Sequence, residues 1–181
     1  MKFEKVVTIM KNDVCVIKSP DLQDARKVLE HMVMAADETP FMARHSDEIT
    51  MTIEQEELYL QNMIENPRAV MIAAYVGDDI VGVAGVHPVA NVEKYRHRCE
   101  YGISVLKSYW GRGIGYALTQ CILEAAKSMG YEQIELEVVD ENRTAVALYE
   151  KCGFVRYGSR PYSFKERDGH YMTLDLMYRR L

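Results

Sequence analysis

Trp110-Gly111-Arg112-Gly113-Ile114-Gly115 is the stretch on which the reading of this chain turns. Glycines at alternate positions let the backbone take positive φ and let it approach a ligand closely. Before them lies a strand, read over Glu100–Val105 because Tyr101, Ile103 and Val105 alternate with Glu100, Gly102 and Ser104. After them a long helix runs to about Met129, closed by Gly130. Its apolar stripe is Ile114, Ala117, Leu118, Cys121, Ile122, Ala125 and Met129. The start of such a helix carries unpaired N–H groups and a partial positive charge, which suit a phosphate or pyrophosphate. Arg112 and Lys107 add two full charges. A P-loop is excluded, because the chain contains no Gly-Lys pair. The dinucleotide fingerprint also fails: it would place Tyr116 or Leu118 at its third glycine, and the turn follows two hairpins rather than opening a doubly wound sheet.

Working outward, Val6–Met10 and Val14–Lys18 read as a hairpin turning at Lys11-Asn12-Asp13. Ser19-Pro20-Asp21 then opens a helix whose expected face is Leu22, Ala25, Leu29, Met32, Val33 and Ala36. A second helix is capped by Thr52, with a stripe of Ile53, Leu60, Met63 and Ile64, and it ends at Asn66-Pro67. Glu54, Glu56 and Glu57 are read as its solvated first turn. The apolar runs Ala69–Val76 and Ile80–Val86 make a hairpin around Gly77-Asp78-Asp79. Beyond the long helix, Ile134, Leu136 and Val138 mark a strand. Asn142 starts a short helix with Ala145, Leu148, Tyr149 and Cys152 on one face, and Gly153 closes it. Two last strands are expected near Phe154–Arg160 and Tyr171–Tyr178. Hairpins first, then strand–helix–strand, predict an α/β fold: a central mixed, mostly antiparallel sheet flanked by helices, with one parallel pair.

The 181 residues fit one domain, and 48% hydrophobic with 27% charged residues is an ordinary globular composition. Net charge is −5, which argues against a nucleic-acid binder. Cys15, Cys99, Cys121 and Cys152 form no C-x-x-C pair, and the five histidines include no H-E-x-x-H, so no metal site is expected. No signal-peptide core and no membrane-length apolar run occurs, so the reading places the chain in the cytoplasm.

The glycine turn resembles the acyl-CoA pyrophosphate loop of the GNAT superfamily, the Gcn5-related N-acetyltransferases. Their pattern is Arg/Gln-x-x-Gly-x-Gly/Ala after a strand ending in Val. Gly113 and Gly115 hold the small-residue positions, and Trp110 stands where the family has Arg or Gln. About 30 residues on, Asn142, Ala145 and Leu148-Tyr149-Glu150-Lys151-Cys152-Gly153-Phe154 are similar to the family's N-x-x-A-x-x-L-Y-x-x-x-G-F segment. The resemblance implies one acyltransferase domain over residues 1–181. It would move an acetyl group from acetyl-CoA to a primary amine, of a small molecule or a protein N-terminus, by direct attack in a ternary complex.

The resemblance also implies roles. The backbone of Ile103, Ser104 and Val105 would pair with the pantetheine arm like an added strand. Gly111, Arg112, Gly113, Ile114, Gly115 and Tyr116 would cradle the pyrophosphate, and Asn142 and Ala145 would border the arm. Tyr149 would lie beside the sulfur as general acid, since a phenol is protonated at pH 7. Glu100 is the candidate general base, acting directly or through water, with His97 as its rival. A non-catalytic CoA-sensing module on the same fold is the alternative. The acceptor stays open, as does a homodimer formed through the sheet edges.

Overall fold

The computed structural model describes residues 3–8 and 14–181. Strands β1 (Glu4–Thr8), β2 (Val14–Lys18), β3 (Val70–Val76), β4 (Asp79–Pro88), β5 (Arg98–Val105), β6 (Gln133–Val139), β7 (Val155–Lys165) and β8 (Tyr171–Arg180) form one sheet. Helices α1 (Ala25–Glu38), α2 (Ile53–Glu65), α3 (Ile114–Ser128) and α4 (Arg143–Lys151) cover its faces. The sheet order is β1-β2-β3-β4-β5-β6-β8-β7. Every neighbouring pair is antiparallel except β5–β6, which α3 connects. The expected mixed sheet with one parallel pair is therefore the observed one. The expected turn at Lys11-Asn12-Asp13 lies outside the described residues.

β3 reads as a continuous apolar run because both of its faces are buried. Ile72 and Ala74 join the core beneath α3, while Ala73 and Tyr75 pack with Val28 of α1. Gly77 takes φ +61 in the turn to β4, as a two-residue hairpin turn requires. The last two strands run further than their alternation suggested, and β8 inserts between β6 and β7. Asp175 on β8 is buried there, accepting from Ser159 Oγ at 2.6 Å and Arg156 Nη1 at 3.2 Å.

Two helix faces differ from the expected ones. In α1 the buried residues are Ala25, Val28, His31 and Ala35, not the stripe through Leu29 and Val33. The chain first makes a 3-10 turn at Leu22–Asp24, anchored by Tyr75 Oη donating to Asp24 Oδ2 at 2.8 Å. The α-helix proper then starts later, which rotates its face, and Leu22 is left exposed. In α2 the Thr52 cap forms as expected: Gln55 N–H donates to Thr52 Oγ1 at 3.3 Å, and Gln55 Oε1 accepts from the Thr52 N–H at 2.9 Å. Leu60 and Met63 are buried and Glu54 and Glu57 exposed, as expected, but Glu56 is buried, at 1% exposure, which corrects its solvated reading.

Glu56 Oε1 has no hydrogen-bond partner among the described residues, and burial pushes its carboxyl above the usual 4.5. A raised folded-state value means stability is full below the unfolded value and is lost as pH rises. Glu56→Met should therefore raise the unfolding free energy at pH 7 by about 1–2 kcal/mol. The gain should shrink toward pH 4. Urea denaturation at the two pH values checks this, and an equal gain at both would remove the electrostatic cause.

Candidate active site

β5 and β6 pair over only three positions, Arg98–Gln133, Cys99–Ile134 and Glu100–Glu135. β5 nevertheless continues to Val105, paired to β4 throughout, and β6 continues to Val139, paired to β8 throughout. The two strands thus diverge past Glu100 and Glu135 and leave a V-shaped opening within the sheet. At about 3.3 Å per residue its β5 side is roughly 16 Å long.

Hydrogen bonds at both ends of β5 tell which backbone groups face this opening. The His97 carbonyl accepts from Gln133 N–H on β6, while the Arg98 carbonyl accepts from Val89 N–H at the end of β4. Leu106 N–H donates to the Val81 carbonyl on β4. Alternation then turns the backbone groups of Tyr101, Ile103 and Val105 toward the opening. Of the expected trio, Ile103 and Val105 offer their backbone there, but Ser104 directs its backbone to β4. The Val105 carbonyl is already engaged by Trp110 Nε1–H at 2.6 Å, so the indole ties the glycine turn to the end of β5.

The same alternation sorts the side chains. Cys99, Tyr101 and Ile103 face α3 and α4, and Tyr101 Oη lies 2.8 Å from Thr119 Oγ1. Tyr149 of α4 meets the Tyr101 ring edge-on at 6.1 Å and Phe154 at 5.9 Å, which places it at the inner end of the opening. It is buried, and that burial pushes its phenol well above 10. Glu100, Gly102 and Ser104 point to the opposite face, where Ser104 Oγ lies 2.8 Å from His31 Nε2. Glu100 is exposed at the vertex, beside Glu135. Glu135 is held low by Arg98, which bonds it at 2.7 Å. His97 lies before the paired segment and is not brought to the opening.

His87 sits directly opposite Glu100 in the β4–β5 ladder, exposed on the same face. Sequence reading missed it. Aligning Gly85 of β4 with Gly102 of β5 would have exposed the pair.

The mouth of the opening is the glycine turn. Gly111 and Gly113 take φ +72 and +89, which accounts for glycine at both. Ala117 N–H makes the first bond of α3, to the Gly113 carbonyl, so the N–H groups of Ile114, Gly115 and Tyr116 precede the helical ladder. Gly115 serves packing as well: a Cβ there would meet Leu148 Cδ2 of α4 at 3.1 Å. The Arg112 guanidinium lies 4.7 Å over the Tyr109 ring, and Lys107 N–H donates to Glu38 Oε2 at 2.6 Å. Asn142 caps α4 by accepting from Ala145 N–H at 3.2 Å. An open strand edge leading to free amides and a positive turn fits an extended arm that ends in a pyrophosphate.

Residues 25–154 match the model of the Acetyltransferase (GNAT) family. A GNAT-family acetyltransferase from Streptococcus pneumoniae superposes with a TM-score of 0.88 at 26% identity, over 92% of this chain and 99% of that one. Salmonella typhimurium yncA, solved with its cofactor acetyl-CoA, shares the fold with a TM-score of 0.82 at 16% identity, over 92% and 94% of the two chains. The N-alpha-acetyltransferase RimI of Mycobacterium tuberculosis is 32% identical over 97 residues, 54% of this chain and 59% of that protein. N-alpha-acetyltransferase 30 of Schizosaccharomyces pombe is 40% identical over 55 residues, 30% of this chain and 37% of that protein. The chain thus spans less than two thirds of the length of these curated relatives.

His31, 1% exposed behind Ser104, is a further polar group of the core. Burial holds its imidazole down to about 4, against the pull of the Ile80 backbone and the Glu38 carboxylate. A depressed folded-state value means its stabilisation is present above about 6.5 and is lost as pH falls toward 4. Between pH 7 and pH 5 this amounts to about 2 kcal/mol at 1.36 kcal/mol per pH unit. The unfolding free energies of wild type and His31→Gln, measured at both pH values, should converge by that amount at pH 5. Parallel curves would assign the pH dependence to other groups.

Proposed function

The chain belongs to the GNAT acetyltransferase family, and we propose that it transfers an acetyl group from acetyl-CoA to a primary amine by direct attack, with both substrates bound together. The observation that carries this reading is the opening between β5 and β6, with a tyrosine at its inner end on one face and a carboxylate on the other. Acetyl-CoA, when bound, supplies the thioester whose acetyl group moves to the amine while a thiol is released.

The chain's own groups divide the rest of the work. Tyr101, Ile103 and Val105 line the arm as a strand partner, and the N–H groups of Ile103 and Tyr101 are placed to polarise a carbonyl. The turn Gly111–Tyr116, with Arg112, holds the pyrophosphate, and Asn142 and Ala145 border the arm at the start of α4. On the exposed face Glu100 accepts the amine's proton, directly or through water, with His87 opposite it as an additional proton acceptor. On the buried face Tyr149 gives its hydroxyl proton to the leaving sulfur. The phenol's raised value suits this role, because the burial that raises it also raises the basicity of a thiolate placed beside it. Holding the two substrates together replaces a covalent enzyme intermediate.

Acetyl-CoA at 100 times its Kd should add about 2.7 kcal/mol of stability, a rise in Tm of roughly 5–11 °C for a domain of this size, while NAD should add none. No rise at millimolar acetyl-CoA would sink the reading. Tyr149→Phe should lower kcat by about 100-fold while the acetyl-CoA Kd stays within twofold. Unchanged turnover would strip Tyr149 of its assigned role.

A further inference from the structure

Gly85 of β4 and Gly102 of β5 face each other directly in the antiparallel ladder, on the face that carries Glu100. Glycine in a strand interior weakens the strand, so a facing pair calls for a reason. The fold does not supply one. Neither residue has a positive φ. A Cβ on Gly102 would meet nothing within 4 Å, and one on Gly85 would meet only the Val70 carbonyl at 3.5 Å, an ordinary contact.

The neighbours on this face delimit what the glycines leave bare. On one side stand Val83, packed with Val28 of α1, and Ser104, bonded to His31. On the other stand Glu100 and His87. Between them lies a strip of backbone, exposed at Gly102 and half-buried at Gly85, about 13 Å from Ser104 to Glu100 and about 5 Å across the two strands. Gly102 directs its N–H and carbonyl to β4, as Ser104 does, so the strip presents Cα hydrogens rather than free polar groups. Such a floor suits an unbranched chain lying flat, and a side chain there would lift it away.

We infer that Gly85 and Gly102 are specificity-determining residues, the floor on which the acceptor lies with its amine at Glu100. They select a primary amine on an unbranched carbon chain. The inference rests on the acetyl-transfer reading for the direction from which the amine approaches.

The test uses the full chain with four amine probes: putrescine, spermidine, a tetrapeptide with a free N-terminal alanine, and the same tetrapeptide beginning with valine. Gly102→Ala should fold with an unchanged or higher Tm and bind acetyl-CoA within twofold of wild type. Its kcat/KM for the best wild-type amine should fall at least tenfold, through KM, and wild type should prefer putrescine or spermidine, whose amines sit on unbranched carbons, to either peptide; a preference for a peptide over both polyamines overturns the inference. Gly85→Ala should act in the same direction. A Gly102→Ala variant with wild-type KM for that amine overturns the inference. Failure of acetyl transfer itself would show as no CoA release by wild type with any probe. Calorimetry on the CoA complex then decides: tenfold weaker amine binding by Gly102→Ala upholds the floor, while equal binding, or none by wild type, overturns it.

Discussion

The opening between β5 and β6 depends on a parallel pairing that stops after three residues. Arg98 pins it, bonding Glu135 across the strands while its guanidinium stacks 5.0 Å over the Tyr95 ring. Gln133 Nε2 adds a bond to Glu135 Oε1 at 2.9 Å. Beyond this clamp each strand follows its outer partner, β5 along β4 and β6 along β8. Because those partners are complete ladders, the divergence leaves unpaired backbone only along the opening. Buried polar groups left unpaired cost free energy, so an edge of this kind is stable only where water or a ligand reaches it. The insertion of β8 makes this possible, since it supplies β6 with a partner on its far side.

The sheet itself separates the two ends of the proposed chemistry. Side chains alternate along β5, so Tyr101, with Tyr149 against it, and Glu100 are committed to opposite faces. A proton acceptor and a proton donor can then flank one reacting centre without neutralising each other. The cysteines near this region are poor nucleophiles: burial pushes the Cys99 thiol up to about 12 and also raises that of Cys152. The proposed direct transfer between two bound substrates therefore draws on Glu100 and Tyr149 rather than on a buried thiol.

Much of this was legible in the sequence because it is local. The glycine turn, the strand before it, the Thr52 and Asn142 caps and the position of Tyr149 on α4 all follow from short spacings. What was not legible depends on register and phase. The 3-10 turn at Leu22–Asp24 shifts the face of α1, so His31 enters the core where periodicity placed Leu29 and Val33. Glu56 resembles a solvated helix start until the packing of α2 is known. The backbone direction of Ser104 follows from strand alternation, which residue identities do not reveal. His87 meets Glu100 only through the β4–β5 register.

Register also explains why glycine carries two meanings in one chain. Gly111 and Gly113 are required by their own φ, and Gly115 by the approach of Leu148. Each is explained by something present in the folded chain. Gly102 has neither reason: its φ is ordinary and the space above it is empty. The proposed acceptor gives a reason for a residue that weakens its strand next to an exposed carboxylate and against no neighbour. The facing Gly85 doubles the strip and aligns it with the vertex where β5 and β6 part. The acceptor surface is thus defined by side chains that are missing, while the opening is defined by backbone pairs that are missing, and both gaps meet at Glu100.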